Sequence, residues 1–420
     1  MKQRSDSAPP TAPAVRTVWR PRTDALKVAI IHYWLVNMRG GEKVLEEICE
    51  MFPQADIFTH VYVPGKVTDT IRKHAVHQTF IARLPLARSR YQTYLPLMPL
   101  ALEELDLSAY DLVISSEAGP AKGVIVRPDA LHVCYCHSPM RYIWDQYPVY
   151  RRSAGLLARM LMPFLMSGLR QWDVTSSARV DYFVANSTAV ASRIRKYWRR
   201  ESEVVHPPVE TARFSPAPSR DDFYLFAGEL APYKRADLAV SACTALGRRL
   251  VVIGDGPDAR RLQKIAGPSV EFLGRVSDDV LADHYGRCRA LLFPGEEDFG
   301  IVPVEAMASG APVICFDRGG ARDTVIPDVT GIFFKEQTLA ETINAIRRFE
   351  MVAHTFDPER LREHASGFAK ELFRRRFGEL IERLAQTYAS PAGAAPLAPG
   401  DAAASAAARC TLLTADGERL

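Results

Sequence analysis

Short runs of Val, Ile and Leu recur along the chain, and amphipathic stretches separate them. The runs at 27–32 (KVAIIH), 57–63, 111–115, 124–126, 131–136 (LHVCYC) and 181–185 predict strands. The stretch 42–51 predicts a helix, and another starts at Ser187 and carries the basic run 193–200. A proline-rich passage follows at 206–220 (HPPVETARFSPAPSR). The pattern then restarts, with strands at 223–227, 250–253, 270–273, 290–293 and 312–316 and helices at 235–246, 258–265, 279–288 and 302–309. Beyond Phe334 it predicts only helices, at 339–349, 358–364 and 368–384.

The strands are rich in Val, Ile and Leu and show no regular alternation with polar residues. Strands of this kind, separated by helices, belong to parallel sheets covered on both faces. Two such series with a break between them predict an α/β chain of two doubly wound, Rossmann-like domains facing across a cleft. The expected divisions are a disordered tail at 1–25, a first domain at 26–207, a second at 208–355, C-terminal helices at 356–388 and an Ala/Pro-rich tail at 389–420. The C-terminal helices either cap the second domain or cross back to the first.

Composition narrows the function without naming it. The chain is 47% hydrophobic and 24% charged, as a globular protein is. Lys and Arg exceed Asp and Glu by 53 − 49 = 4, too few for a dedicated nucleic-acid binder. The basic run 193–200 reads as a solvated helix face, since no aromatic stacking platform accompanies it. The seven cysteines are scattered and mostly apolar in setting, which suits a reducing compartment. Cys134 and Cys136 flank no second Cys/His pair at zinc-site spacing, so no metal is expected. Residues 1–25 lack the apolar core of a signal peptide. The most apolar stretch, 154–169, is broken by Arg159 and Pro163 and falls short of the roughly 18 residues of a spanning helix. The expectation is a cytoplasmic protein that touches a membrane without crossing it. Segments 83–102 and 151–170 mix basic and apolar residues. They are either ordinary amphipathic packing or surfaces that lie on anionic lipid.

The strongest local signal is FPGEEDFGIVPVE, from Phe293 to Glu305. A strand ends at Phe293, a glycine-bearing loop follows, and a helix starts near Val302. Glu297 then lies in a loop at the carboxyl end of a strand, where open α/β sheets bind ligands. Glu305 falls in the first helical turn, beside N–H groups suited to an anion. Spacing alone is equally consistent with a solvated acidic loop and a helix-start glutamate. Gly254-Asp-Gly-Pro-Asp-Ala259 matches a dinucleotide fingerprint, but Pro257 in its turn is foreign to one.

Glu-x7-Glu in this setting resembles the signature of the retaining GT-B glycosyltransferases of family 4. The likeness runs from about Lys27 to Leu384, with the motifs in the family's order. Within the family, CYCHSPMRYIWD (134–145) and PYKRAD (232–237) are most similar to bacterial mannosyltransferases of O-antigen and exopolysaccharide synthesis. The resemblance implies the GT-B fold and a nucleotide-sugar donor, with GDP-mannose favoured. It implies a polyprenyl-diphosphate-linked glycan acceptor, peripheral contact with the inner membrane, and no metal or other cofactor.

It also implies roles for particular residues. Glu305 would bind the donor ribose and Glu297 would face the transferred sugar. Lys234 would meet the diphosphate, with Gly40 and Gly41 beside it. His137 would hydrogen-bond the donor sugar. Phe299, Gly300 and Ile301 would complete the donor site, and Val276 would lie against the base through its backbone. Arg141, Trp144 and Asp145 would shape the acceptor side. In one place the chain departs from the pattern: relatives carry an arginine five residues before the lysine, and here that residue is Glu229. Arg235 is the candidate to supply the missing charge. A different nucleotide sugar, or a non-catalytic scaffold in polysaccharide assembly, is the alternative reading.

Overall fold

A computed structural model describes residues 26–389. The expected tails, 1–25 and 389–420, lie outside them apart from Ala389, which ends the last helix. The N-terminal domain holds a seven-stranded parallel sheet. Its strands are β1 (Val28–His32), β2 (Asp56–Thr59), β3 (Val76–Gln78), β4 (Leu112–Glu117), β5 (Leu131–Cys136), β6 (Tyr182–Ala185) and β7 (Glu203–Val204). Their order in the sheet is β3-β2-β1-β4-β5-β6-β7. The C-terminal domain holds a six-stranded sheet, ordered β10-β9-β8-β11-β12-β13. These strands are β8 (Tyr224–Ala227), β9 (Leu250–Ile253), β10 (Val270–Gly274), β11 (Ala290–Phe293), β12 (Val313–Phe316) and β13 (Gly331–Phe334). This is the two-domain, Rossmann-like GT-B architecture.

The central strands β1, β4 and β5 are buried from end to end, which explains why they show no alternation of apolar and polar positions; their few polar residues, such as Ser115 and His132, are buried with the rest. Strand order reverses between β1 and β4 in the first sheet and between β8 and β11 in the second. At such a reversal the loops leave in opposite directions and open a crevice at the strands' carboxyl ends. The two crevices face each other, and the site lies between them.

The last helices do both things the sequence allowed. Helix Pro358–Ser366 buries Leu361 and Ala365 in the C-terminal core. Helix Lys370–Ala389 then crosses back, placing Phe373, Phe377, Leu380, Ile381 and Leu384 in the N-terminal core. The Val209 amide donates to the Phe368 carbonyl at 3.0 Å, so the two connections between the domains run side by side.

Several expected elements change. Residues 124–126 form no strand: both neighbours of β4 are already taken by β1 and β5, and Val124 drops into the core while Ile125 stays exposed. The strand expected to run to Val63 stops at Thr59. β3 and β7 escape the sequence pattern because short, partly polar edge strands carry little apolar signal. The 254–259 fingerprint serves packing. A side chain on Gly254 would collide with the Gly228 carbonyl, and one on Gly256 with the Leu230 carbonyl. Six cysteines in the described residues are free and buried, Cys134 and Cys136 among them, and Cys410 lies outside those residues. Among the described residues, no helix is long and apolar enough to cross a membrane, and no three His, Cys, Asp or Glu side chains are grouped to hold a metal ion.

Candidate active site in the interdomain cleft

A cleft of about 440 Å³ separates the domains. From the N-terminal side it is lined by Arg39, Gly40, Gly41, Lys43, His137 and Arg141, and from the C-terminal side by Arg213, Lys234, Glu297, Phe299, Gly300, Ile301 and Glu305. Two helix N-termini meet here. Helix Gly40–Met51 begins with the glycine pair, two residues earlier than the sequence pattern suggests. Helix Ile301–Ala308 begins opposite. A β-carbon on Gly40 would sit 3.3 Å from Ile301 Cδ1, so the first glycine lets the two helix ends approach. Their unpaired N–H groups face one space and favour an anion there. Because the second helix starts at Ile301, Glu305 lies in its second turn, not its first.

The loop after β11 carries the acidic pair. A side chain on Gly295 would touch the Lys234 backbone at 2.9 Å, so this glycine allows the loop to lie against the segment after β8. From below it is held by Gly319 and Gly320, where side chains would strike the Glu297 carbonyl and the Phe299 backbone. The Gly320 amide donates to the Glu297 carbonyl at 2.8 Å. So anchored, Glu297 forms an ion pair with Lys234. Burial works against the lysine's charge, but Glu297, with Tyr233 and Glu229 adding, more than offsets it and raises the Lys234 pKa. Lys234 is therefore a charged group inside the site, not a solvated helix-start residue.

Glu305 accepts from Tyr285 Oη at 3.2 Å and lies 3.9 Å from Lys43 Nζ of the other domain. Its pKa is raised: burial pushes it up, and Lys43 and the tyrosine pull part of the way back. His137 follows directly on β5, and its Nε2 lies 2.8 Å from Ser116 Oγ, which also lies 3.0 Å from His32 Nδ1. Burial, helped by His32, pulls the His137 pKa down to about 3. This favours the neutral imidazole, a hydrogen-bonding group rather than a charge.

A second set of contacts closes the domains over the loop. Arg141 Nη1 donates to Asp298 Oδ1 at 3.3 Å and Arg193 pairs with the same carboxylate. Both arginines also reach Glu296. Ser187 Oγ donates to the Asp298 carbonyl, and Thr188 Oγ1 donates to Asp323 at 2.6 Å. Glu297 is thus flanked by two carboxylates that the N-terminal domain grips. Arg193 belongs to the basic run expected to be solvated, and the structure corrects that for this residue.

The other expected site residues fall elsewhere. Arg235 does not line the cleft; its guanidinium makes two bonds to Asp237, at 3.0 and 3.1 Å. It therefore does not stand in for the charge missing at Glu229. Instead Glu229 accepts from Arg39 of the N-terminal domain at 3.3 Å. Trp144 stacks on Tyr197 and donates to Asp173, and Asp145 holds Arg141. Both support the wall without lining it. Val276 packs partly buried against the C-terminal core. The reading of the sequence missed Arg39, Lys43, Arg213, Arg193, Asp298 and the Gly319-Gly320 pair. Only the last had a local signal, a Gly-Gly just after a buried strand.

Comparison with known proteins gives the class this geometry belongs to. Residues 38–213 match the model described as Glycosyltransferase Family 4, and residues 209–364 match Glycosyl transferases group 1. The two matches adjoin and span residues 38–364, and both models describe glycosyltransferases; the fold is the GT-B fold. Among solved structures, Anabaena Alr3699/HepE in complex with UDP and glucose aligns with a TM-score of 0.63 at 15% identity, over 85% of this chain and 99% of that one. Sucrose-phosphate synthase from Thermosynechococcus elongatus aligns with a TM-score of 0.65 at 17% identity, over 85% and 99%. These likenesses concern the fold. Among curated proteins, a GDP-mannose-dependent alpha-mannosyltransferase of Mycobacterium tuberculosis is 42% identical over 108 residues, 26% of this chain and 28% of that protein. A D-inositol 3-phosphate glycosyltransferase of Streptomyces bingchenggensis is 29% identical over 244 residues, 50% of this chain and 52% of that protein. The chain spans about half the length of these curated relatives or less.

Proposed function

We propose that the protein is a retaining hexosyltransferase that moves mannose from GDP-mannose to a polyprenyl-diphosphate-linked glycan in bacterial surface polysaccharide synthesis, working at the cytoplasmic face of the inner membrane. The observation that carries the reading is the convergence of Glu297, Glu305 and Lys234 with two helix N-termini in one interdomain cleft. The mannosyltransferase likeness, though partial, supports the sugar.

In this reading Glu305 receives the ribose hydroxyls of the donor. Lys234 and the N–H groups of helices Gly40–Met51 and Ile301–Ala308 neutralise charge that develops on the leaving diphosphate. Neutral His137 and Glu297 orient the sugar. The leaving phosphate oxygen takes the proton of the acceptor hydroxyl on the same face, so the anomeric configuration is retained with no covalent enzyme intermediate.

Donor binding and hydrolysis across GDP-, UDP-, ADP- and dTDP-sugars, with wild type beside Glu305→Ala and Lys234→Ala, test the reading. The expected result is selective binding of GDP-mannose, lost in both variants. Selectivity for another donor overturns the sugar, and binding of none overturns the enzyme reading in favour of a scaffold.

A further inference from the structure

Helix Leu156–Ser177 follows the loop that carries Arg141. Its inner face buries Met166 and Leu169, with Asp173 deeper still. Its outer face is unusual. Leu156, Leu157, Met160, Leu161, Phe164 and Leu165 are each between 44% and 79% exposed. They recur at i, i+1, i+4 and i+5, so they form one continuous ridge. Residues 155–161 are exposed without exception, so the first turn and a half projects from the domain, with Arg159 the one charged side chain among its apolar ones. Single exposed apolar side chains are ordinary, but six large ones in one ridge are not. An exposed apolar face this broad needs an apolar surrounding.

The charge around the ridge has one sign. No Asp or Glu occurs between Asp145 and Asp173, whereas Arg151, Arg152, Arg159 and Arg170 do. Arg151 and Arg152 are exposed beside the ridge. Arg159 folds back to the Arg152 carbonyl at 2.9 Å and stiffens the tip. The basic segment 83–102, also free of acids, meets this helix where Leu95 packs against Met166 and Leu169. In a contact between two copies of this ridge, like would face like, arginine against arginine. An anionic bilayer offers what the surface lacks: hydrocarbon for the ridge and phosphate for the arginines.

We infer that the first ten residues of this helix insert in the plane of an anionic membrane and dock the N-terminal domain there. Ten helical residues make a bar about 15 Å long, and an interfacial helix sinks roughly 5–10 Å. The docked helix is tied to the cleft. Arg170 Nε donates to the Ile143 carbonyl at 2.6 Å, and Trp144 Nε1 donates to Asp173 at 2.8 Å, so the Arg141 loop and the ridge form one unit. This deepens the acceptor reading above, because a lipid-linked glycan would reach the cleft along that side.

Flotation of the full chain with phosphatidylethanolamine vesicles containing phosphatidylglycerol and cardiolipin tests the surface. Wild type should float with these vesicles and not with phosphatidylcholine alone. Leu157→Ser/Met160→Ser/Phe164→Ser, all at exposed positions, should lower partitioning by at least about tenfold while donor hydrolysis persists. Arg151→Glu/Arg152→Glu should abolish the dependence on anionic lipid. Absence of flotation, or equal flotation of the ridge variant, overturns the inference. So does a stable dimer that the ridge variant dissociates, since the occupant is then a second copy. A chain that floats through the ridge yet transfers to no lipid-linked glycan leaves this surface standing and defeats the acceptor reading instead.

Discussion

Arg39, just before the glycine pair of the N-terminal domain, donates across the cleft to Glu229 of the C-terminal domain at 3.3 Å. Glu229 stands where the family resemblance calls for a cation, and the cation arrives from the opposite domain. The two side chains are 62% and 41% exposed, so the pair itself contributes at most about 1 kcal/mol. An anion entering the cleft can take Arg39 from Glu229 at little cost. Glu229→Gln should therefore tighten GDP binding by up to about fivefold. Arg39→Ala should weaken it by about tenfold, the worth of one charge-assisted hydrogen bond. Titration calorimetry at low and moderate salt measures both, and equal affinities in all three proteins would remove Arg39 from the donor site.

Glu297 and Lys234 hold each other, so their substitutions should separate binding from turnover. Glu297→Gln keeps the loop, releases the lysine and removes a carboxylate from the place assigned to the sugar. Donor affinity should hold or rise, while kcat falls about a hundredfold. Lys234→Ala should lose both donor affinity and turnover. Lys234→Arg should not restore them, because a planar guanidinium does not fill the place of a compact ammonium. Steady-state kinetics with a saturating acceptor, beside equilibrium donor binding, distinguish these outcomes.

How far this site could be read in the sequence depended on where each residue's partner lay. Glu297, Glu305 and Lys234 sit in motifs whose neighbours in sequence are also neighbours in space, at the ends of β8 and β11. The mainly apolar runs of β1, β5 and β11 located those strands to within a residue or so, because burial on both faces removes the polar alternation of a half-exposed strand. Arg39, Arg193 and Asp298 act through partners more than a hundred residues away, and no local pattern encodes such a pair. Arg235 shows the reverse error: the nearest cation in sequence was captured by Asp237, two residues on. Val124–Val126 failed as a strand because strand identity requires a free neighbour in the sheet, which three apolar residues cannot supply.

Asp298 is gripped by Arg141 and Arg193, and the adjacent Glu297 takes its place from that grip. Arg193→Ala should loosen the loop without touching the donor. The expected signature is a fall in kcat of about tenfold with GDP affinity unchanged, since misplacing a positioned group costs turnover first. A double-mutant cycle with Asp298→Asn should return a coupling of about 1–3 kcal/mol, as residues in one ion-pair network do. Additive losses would show that the grip is incidental to the position of Glu297.

Three buried histidines make the fold sensitive to acid. Burial lowers His60 to about 3, His132 to about 4 and His137 to about 3. The folded protein keeps all three neutral, whereas the unfolded chain protonates them near pH 6.5. Above that pH they contribute no pH dependence. As pH falls below it, the unfolded state binds protons the folded state refuses, so stability drops until the folded values are reached. Each histidine should cost about 1.4 kcal/mol per pH unit in that window. Burial raises the Glu117 pKa to about 8, which acts with the opposite sign over part of this range, so urea unfolding at pH 7.5, 6.5, 5.5 and 5.0 is compared between wild type and a variant lacking one histidine. His60→Asn, at a ring that does not line the cleft and bonds Thr79, should remove one proton's share of the slope. Equal slopes in wild type and His60→Asn would mean that this ring takes up its proton inside the fold.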